Sequence, residues 1–263
     1  MADAPVLTVI DPRGVATVTL ANAAKLNTLH PALMRAFVDA FERLSATPAL
    51  RAVVLRGAGE RAFIGGADIT AMAGLDATGA RDFITLVHRC CAVLRSCPVP
   101  VIARLAGWTL GAGLEIAAAA DLRIAETTAR FGMPEVRIGI PSVVEAALLP
   151  GLIGWGRTRR LLLTGETIDA ATAGAWGLVE EVVAPDALDP AVERVLEGIL
   201  ASGPRAIRLQ KELITAWEDL PPAAAVRRGI DAFVQAWESD EPTRMMAAFV
   251  EQMRRRKAGT DAP

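Results

Sequence analysis

The sequence predicts an α/β core followed by a helical tail, and three observations carry that prediction. Short apolar runs such as "RAVVLRGAGE" (51–60) and "VPVIARLAG" (99–107) read as strands buried on both faces. Segments of helical period lie between them, as in doubly covered sheets. Beyond about Ser202-Gly203-Pro204 the strand signals stop and helix follows helix. With 263 residues there is room for one large domain or a domain with an appendage. We place the core at 1–202 and the helical region at 203–263.

The elements follow in order. "VLTVIDPRGVATVTLAN" alternates apolar and polar residues around Asp11-Pro12-Arg13-Gly14 and predicts a hairpin. Residues 31–46 put Leu33, Phe37, Phe41 and Leu44 on one helical face. A second helix is expected over 81–96, and it is taken to hold Cys90, Cys91 and Cys97. "WTLGAGLEIAAAADLRIAE", from Trp108, reads as strand, glycine turn, apolar helix and a further short strand. The tail predicts helices over about 204–218, 222–238 and 240–257, separated by Pro221-Pro222 and Pro242. Trp217, Phe233, Trp237 and Phe249 give the tail large apolar groups, which points to packing on its own domain and on a neighbouring subunit.

Composition excludes several function classes. A formal net charge of −2 offers no electrostatic basis for binding nucleic acid or an anionic membrane. The basic cluster "MRRRK" (253–257) reads as solvent-facing charge at a helix end or a contact to a coenzyme phosphate. No run nears the roughly 20 apolar residues of a spanning helix, and "MADAPVLTVIDPRG" lacks the basic start of a secretory signal. The three cysteines show no metal-ligand spacing and read as reduced packing thiols, so a cytoplasmic protein without a bound metal is expected. With two histidines in the chain, His30 and His88, a Ser-His-Asp or Cys-His site is poorly supplied. Carboxylates and backbone are left to carry the chemistry.

Two stretches echo one another. "VVLRGAGERAFIGGAD" and "PVIARLAGWTLGAGLE" each run from a strand to a Gly-rich turn and then to an acid opening a helix. Such turns leave N–H groups unpaired at the positive end of a helix dipole. Two of them side by side make a cradle for an oxyanion or a phosphate. The third glycine of G-x-G-x-x-G is missing after Gly111-Ala112-Gly113, and no P-loop occurs, so a nucleotide site is disfavoured. Glu115 follows the second turn, among alanines, and Glu135 follows Pro134 twenty residues later. Glu115 alone could be a helix-start acid favoured by the dipole, and Glu135 alone a surface acid beside a turn. Together with the cradle they equip a site for proton transfer at the carbons next to a carbonyl.

At these residues the chain resembles the crotonase superfamily, the enoyl-CoA hydratase/isomerase family. The resemblance lies in "ERAFIGGADI", "GAGLEIAAAADLRIA", "ARFGMPEVRIGIP" and "LLTGETIDAATAGAWGLVEEVV", with weaker matches at "KLNTL" and "RMMAAFVEQMRRRKA". It covers nearly the whole chain in order. It implies an α/β crotonase-like spiral of ββα turns with a C-terminal helical region that builds homotrimers, often stacked into hexamers. It further implies an oxyanion hole formed by the backbone N–H groups of Gly65 and Ala112. Glu115 matches the glutamate that activates water, and Glu135 the one that exchanges a proton at the α carbon. Lys25, Leu26, Gly66, Ala67 and Asp68 fall in segments that bind coenzyme A. The implied substrate is an acyl-CoA thioester, with no cofactor other than the coenzyme A it carries. Retention of both glutamates favours hydration of a trans-2-enoyl-CoA to the 3-hydroxyacyl-CoA over double-bond isomerisation.

One segment departs from the family pattern. Hydratases continue after the second glutamate with G-x-x-P-G-x-G-G-T, whereas this chain reads "GIPSVVEAALLPGL", one residue shorter and without glycine from Ser142 to Ala146. Glu145 there reads as a helix N-terminal acid after Ser142, or as part of a modified acyl pocket or a third catalytic carboxylate. Isomerisation, thioester hydrolysis and non-catalytic acyl-CoA binding in a scaffold subunit are the alternatives this departure leaves open.

Overall fold

In the computed structural model, which describes residues 4–257, strands arrive in pairs and feed two separate sheets. The hairpin β1 (Val6–Ile10) and β2 (Val15–Leu20) is antiparallel. Its turn closes because the Asp11 carboxylate accepts from the N–H groups of Arg13 (2.8 Å) and Val15 (3.0 Å). Next come α1 (Pro31–Ser45), β3 (Ala52–Gly57) and the three-residue β4 (Ala62–Ile64). His30 caps α1, its Nδ1 accepting from Leu33 N–H at 3.3 Å. Two helices follow, α2 (Ile69–Met72) and α3 (Ala77–Arg95). The pairing then repeats as β5 (Val101–Leu105), β6 (Trp108–Leu110) and α4 (Ala112–Ala119). A third pair is β7 (Leu122–Glu126) and β8 (Arg130–Gly132), followed by 3₁₀ turns at Glu135–Ile138 and Val144–Leu148. The remainder is α5 (Leu149–Thr164), β9 (Thr167–Asp169), α6 (Ala170–Trp176), β10 (Glu181–Val183) and α7 (Leu188–Leu200).

The hairpin, the first strands of the pairs (β3, β5 and β7) and β10 build one sheet, in the order β1-β2-β3-β5-β7-β10, parallel from β2 onward. The second strands build the other, β4-β6-β8-β9, with β9 antiparallel. This is the ββα repeat that the family resemblance implies. It places the ends of β4 and β6 next to each other, so the two Gly-rich turns become neighbours. Phe37, Phe41, Phe63, Phe131 and Leu55 are fully buried in the core between the layers. Cys90 and Cys91 lie on α3, but Cys97 falls past its cap at Ser96, a correction to the placement of all three on one helix. All three are buried free thiols, and burial pushes the Cys90 thiol up to about 12.

Two compact units divide between Glu197 and Gly198, inside α7, a few residues before Ser202-Gly203-Pro204, where the next helix begins. The second unit holds α8 (Pro204–Asp219), α9 (Pro222–Ala236) and α10 (Glu241–Lys257). Within it the buried Glu241 carboxylate caps α8 by accepting from the N–H groups of Arg205 (3.1 Å) and Ala206 (2.9 Å). Phe233 and Phe249 of this unit are 67% and 60% exposed. Among the described residues no helix is long and apolar enough to cross a membrane.

Candidate active site

The turns after β4 and β6 open onto a cleft of about 110 Å³. Gly66, Ala67, Ala112, Glu115 and Glu135 line it, with apolar walls from Phe83, Ile84, Val87 and Ile140. The second turn explains its own glycines. Gly111 has φ +52°, and a Cβ there would overlap Oε1 of Glu135. Gly113 lies against the Ile64 carbonyl, so only glycine lets α4 approach β4.

Glu115 is on the first turn of α4 and is 3% exposed. Its Oε1 has no hydrogen-bond partner. Burial, reinforced by the charges of Glu135 and Glu145, pushes its carboxyl up from 4.5 to about 8, while the backbone of Ala146 and Val143 draws it partly back down. The C-terminus of its helix is held by Arg123, which donates to the carbonyls of Ala120 (2.7 Å) and Leu178 (2.9 Å). Glu135 opens the 3₁₀ turn after Pro134, and its Oε2 accepts from the Ser142 hydroxyl at 2.8 Å.

The structure corrects one donor of the expected cradle. Gly65 N–H donates to the Leu26 carbonyl at 2.8 Å, so it is not turned to the cleft. Ala67, two residues on, forms a parallel bridge with Leu29. The bonds of that bridge use Leu29 N–H to the Gly66 carbonyl (2.9 Å) and Asp68 N–H to the Leu29 carbonyl (2.8 Å). Ala67 N–H therefore points away from Leu29 and takes no part in the backbone bonding of the described residues. Ala112 N–H is likewise unpaired, as the first residue of a helix.

The other expected positions divide by role. Gly66 and Ala67 line the cleft. Asp68 caps α2, its carboxylate accepting from Thr70 N–H (2.9 Å) and Ala71 N–H (3.4 Å). Lys25 is exposed on the 3₁₀ turn Ala23–Lys25 and Leu26 closes it at φ +54°. The sequence reading passed over Asn27, which is fully buried at φ +55°. Its amide donates to the carbonyls of Ala58 (3.1 Å) and Ala62 (2.8 Å) and its Oδ1 accepts from Asn22 N–H (3.1 Å). That ties the "KLNTL" loop to the turn before β4. The signal was available, since asparagine tolerates the left-handed region better than most residues. The Ser142 hydroxyl serves Glu135, and the following turn starts from Val143 without a side-chain cap. Glu145 does not line the cleft; its carboxylate meets His88 at 2.8 Å. No group of three or more His, Cys, Asp or Glu among the described residues could hold a metal ion.

A fold of paired strands with a carboxylate-lined cleft beside two unpaired N–H groups defines a protein class, and comparison with known proteins agrees. Residues 11–257 match the family described as enoyl-CoA hydratase/isomerase. The chain is 34% identical over 228 residues to a crotonyl-CoA hydratase of Syntrophomonas wolfei, covering 86% of this chain and 88% of that one. It is 33% identical to a short-chain-enoyl-CoA hydratase of Clostridium acetobutylicum, covering 90% and 92% of the two chains. The crystal structure of an enoyl-CoA hydratase from Mycobacterium smegmatis superposes with a TM-score of 0.92 at 29% identity, over 95% of this chain and 97% of that one. The chain belongs to the enoyl-CoA hydratase/isomerase family of the crotonase superfamily.

Proposed function

We propose that this protein is an enoyl-CoA hydratase that adds water across the 2,3 double bond of a trans-2-enoyl-CoA. The observation that carries this reading is the presence of two carboxylates, Glu115 and Glu135, in one cleft beside the unpaired N–H groups of Ala67 and Ala112. Both similar curated proteins named above are hydratases of enoyl-CoA thioesters.

The thioester carbonyl oxygen accepts from Ala67 and Ala112, which hold negative charge as it develops on that oxygen. Ionised Glu115 takes a proton from water while the water oxygen bonds to C3. The π electrons move to the enolate, and Glu135 delivers a proton to C2 as the carbonyl re-forms. Glu115 ends protonated and Glu135 ionised, and exchange with solvent returns both to their starting states. Isomerisation would need one proton shuttle and no water, so a second cleft carboxylate favours hydration. No cofactor enters beyond the coenzyme A of the substrate, for which Lys25, Leu26, Gly66, Ala67 and Asp68 form the binding surface. The exposed apolar side chains of α9 and α10 support assembly into homotrimers or hexamers, and the buried free thiols support a cytoplasmic setting.

The test is incubation of the purified protein with short, medium and long trans-2-enoyl-CoAs in deuterated water. A 3-hydroxyacyl-CoA carrying deuterium at C2 is the expected product. Absence of hydration at every chain length, with 3-enoyl isomerisation or thioester hydrolysis in its place, would overturn the reading.

A further inference from the structure

The segment Ser142–Ala146, where the family pattern is lost, touches both glutamates of the cleft. Ser142 donates to Glu135 at 2.8 Å, and the backbone of Val143 and Ala146 acts on Glu115. Between these contacts the chain is strained, because Val144 adopts φ +40°, a region that a β-branched residue adopts at a cost. A strained turn persists only where its surroundings over-determine it, so something must hold it.

Glu145 follows Val144 in this turn. It is 7% exposed, and Oε1 lies 2.8 Å from Nδ1 of His88, on the neighbouring α3. Its second oxygen, Oε2, is buried without a conventional hydrogen-bond partner, with only the weakly donating Cys91 thiol within reach of the carboxylate, an expensive placement for a group that serves no purpose. Around it stand His88, Cys90 and Cys91 of α3 and Glu115 of α4. Val87, next to His88, is itself a wall of the cleft. We infer that the Glu145–His88 pair is a clamp that holds the strained turn Ser142–Ala146 against α3 and thereby positions Glu115 and Glu135 for reaction. Both are positioning residues, since neither lines the cleft. The inference rests on the hydratase reading for its consequence in turnover but on geometry for its existence.

The experiment compares Glu145→Ala, Glu145→Gln, His88→Ala and the Glu145→Ala/His88→Ala double variant with the wild type on crotonyl-CoA. His88 has a half-exposed side chain, so its removal leaves the core intact and keeps the test open if Glu145→Ala fails to fold. Each alanine variant is expected to lower kcat by ~10-fold or more with KM within about twofold, a misalignment effect. Glu145→Gln, which keeps a hydrogen bond to His88, is expected to recover most of the rate. The double variant should be no worse than the more impaired single one. Rates within about twofold of the wild type, or losses that multiply in the double variant, would overturn the clamp. A wild type that hydrates no enoyl-CoA would overturn the functional reading instead. The clamp is then tested by the titration of Glu115, followed through its carboxyl signal in ¹³C-labelled protein. His88→Ala should move that titration to higher pH by loosening the Val143 and Ala146 contacts, and an unmoved titration would overturn the clamp.

Discussion

Replacing Glu115 by glutamine should stabilise the protein at alkaline pH while removing its activity. The carboxyl is 3% exposed and its proton affinity is raised from 4.5 to about 8, chiefly by burial. A carboxyl raised in the folded state binds its proton more tightly there than in the unfolded chain. Its contribution is therefore fully favourable below pH 4.5 and is lost as pH rises from 4.5 to about 8. At about 1.4 kcal/mol per unit, the charge costs on the order of 3 kcal/mol at pH 7 and 5 kcal/mol above pH 8. Glutamine removes that cost but leaves a buried amide in a site with an unpartnered oxygen, offsetting about 1–3 kcal/mol. The net gain above pH 8 is therefore about 2–4 kcal/mol, and it should shrink and reverse toward pH 5. Urea denaturation of the two proteins at several pH values from 5 to 9 measures it. Parallel stability curves, with no extra pH dependence in the wild type, would refute the assignment of a buried, proton-hungry carboxyl at this position.

Further expectations follow from the same geometry. In the wild type, kcat/KM should rise with pH through about 8, because Glu115 must be ionised to take a proton from water; a rate flat or falling across that range would exclude it as the base. Gly111→Ala should lower kcat by ~10²-fold and stability by about 1–3 kcal/mol, since a Cβ would displace Glu135 and φ +52° disfavours alanine; steady-state rates and a melting curve would report both. Asn27→Ala removes three hydrogen bonds at a fully buried site and should cost about 2–4 kcal/mol in chemical denaturation.

The sequence already showed the two carboxylates, because each stands out locally: Glu115 as an acid in an alanine-rich helix start and Glu135 after "FGMP". The neighbouring glycine turns were legible as well, through the echo between "IGGAD" and "LGAGLE". Which N–H faces the cleft was not. Gly65 and Ala67 are both backbone donors, and the choice depends on the phase of the bridge with Leu29, almost forty residues earlier in the chain. The strands Arg130–Gly132, Thr167–Asp169 and Glu181–Val183 escaped because three residues are too few to display a two-residue period. Nothing about a valine announces φ +40°, so the strain at Val144 was invisible. Likewise His88 and Glu145 are 57 positions apart, and their pairing exists only once α3 packs beside the 3₁₀ turn.

The central claim is that Glu115 and Glu135 together hydrate an enoyl thioester. It is tested most directly by the rate of crotonyl-CoA hydration in the wild type, Glu115→Gln and Glu135→Gln, with acyl-CoA binding measured in parallel. Both variants should bind the thioester with near-normal affinity and lose ~10²–10⁴-fold in kcat. Hydration that survives either substitution at close to the wild-type rate would contradict the two-carboxylate account.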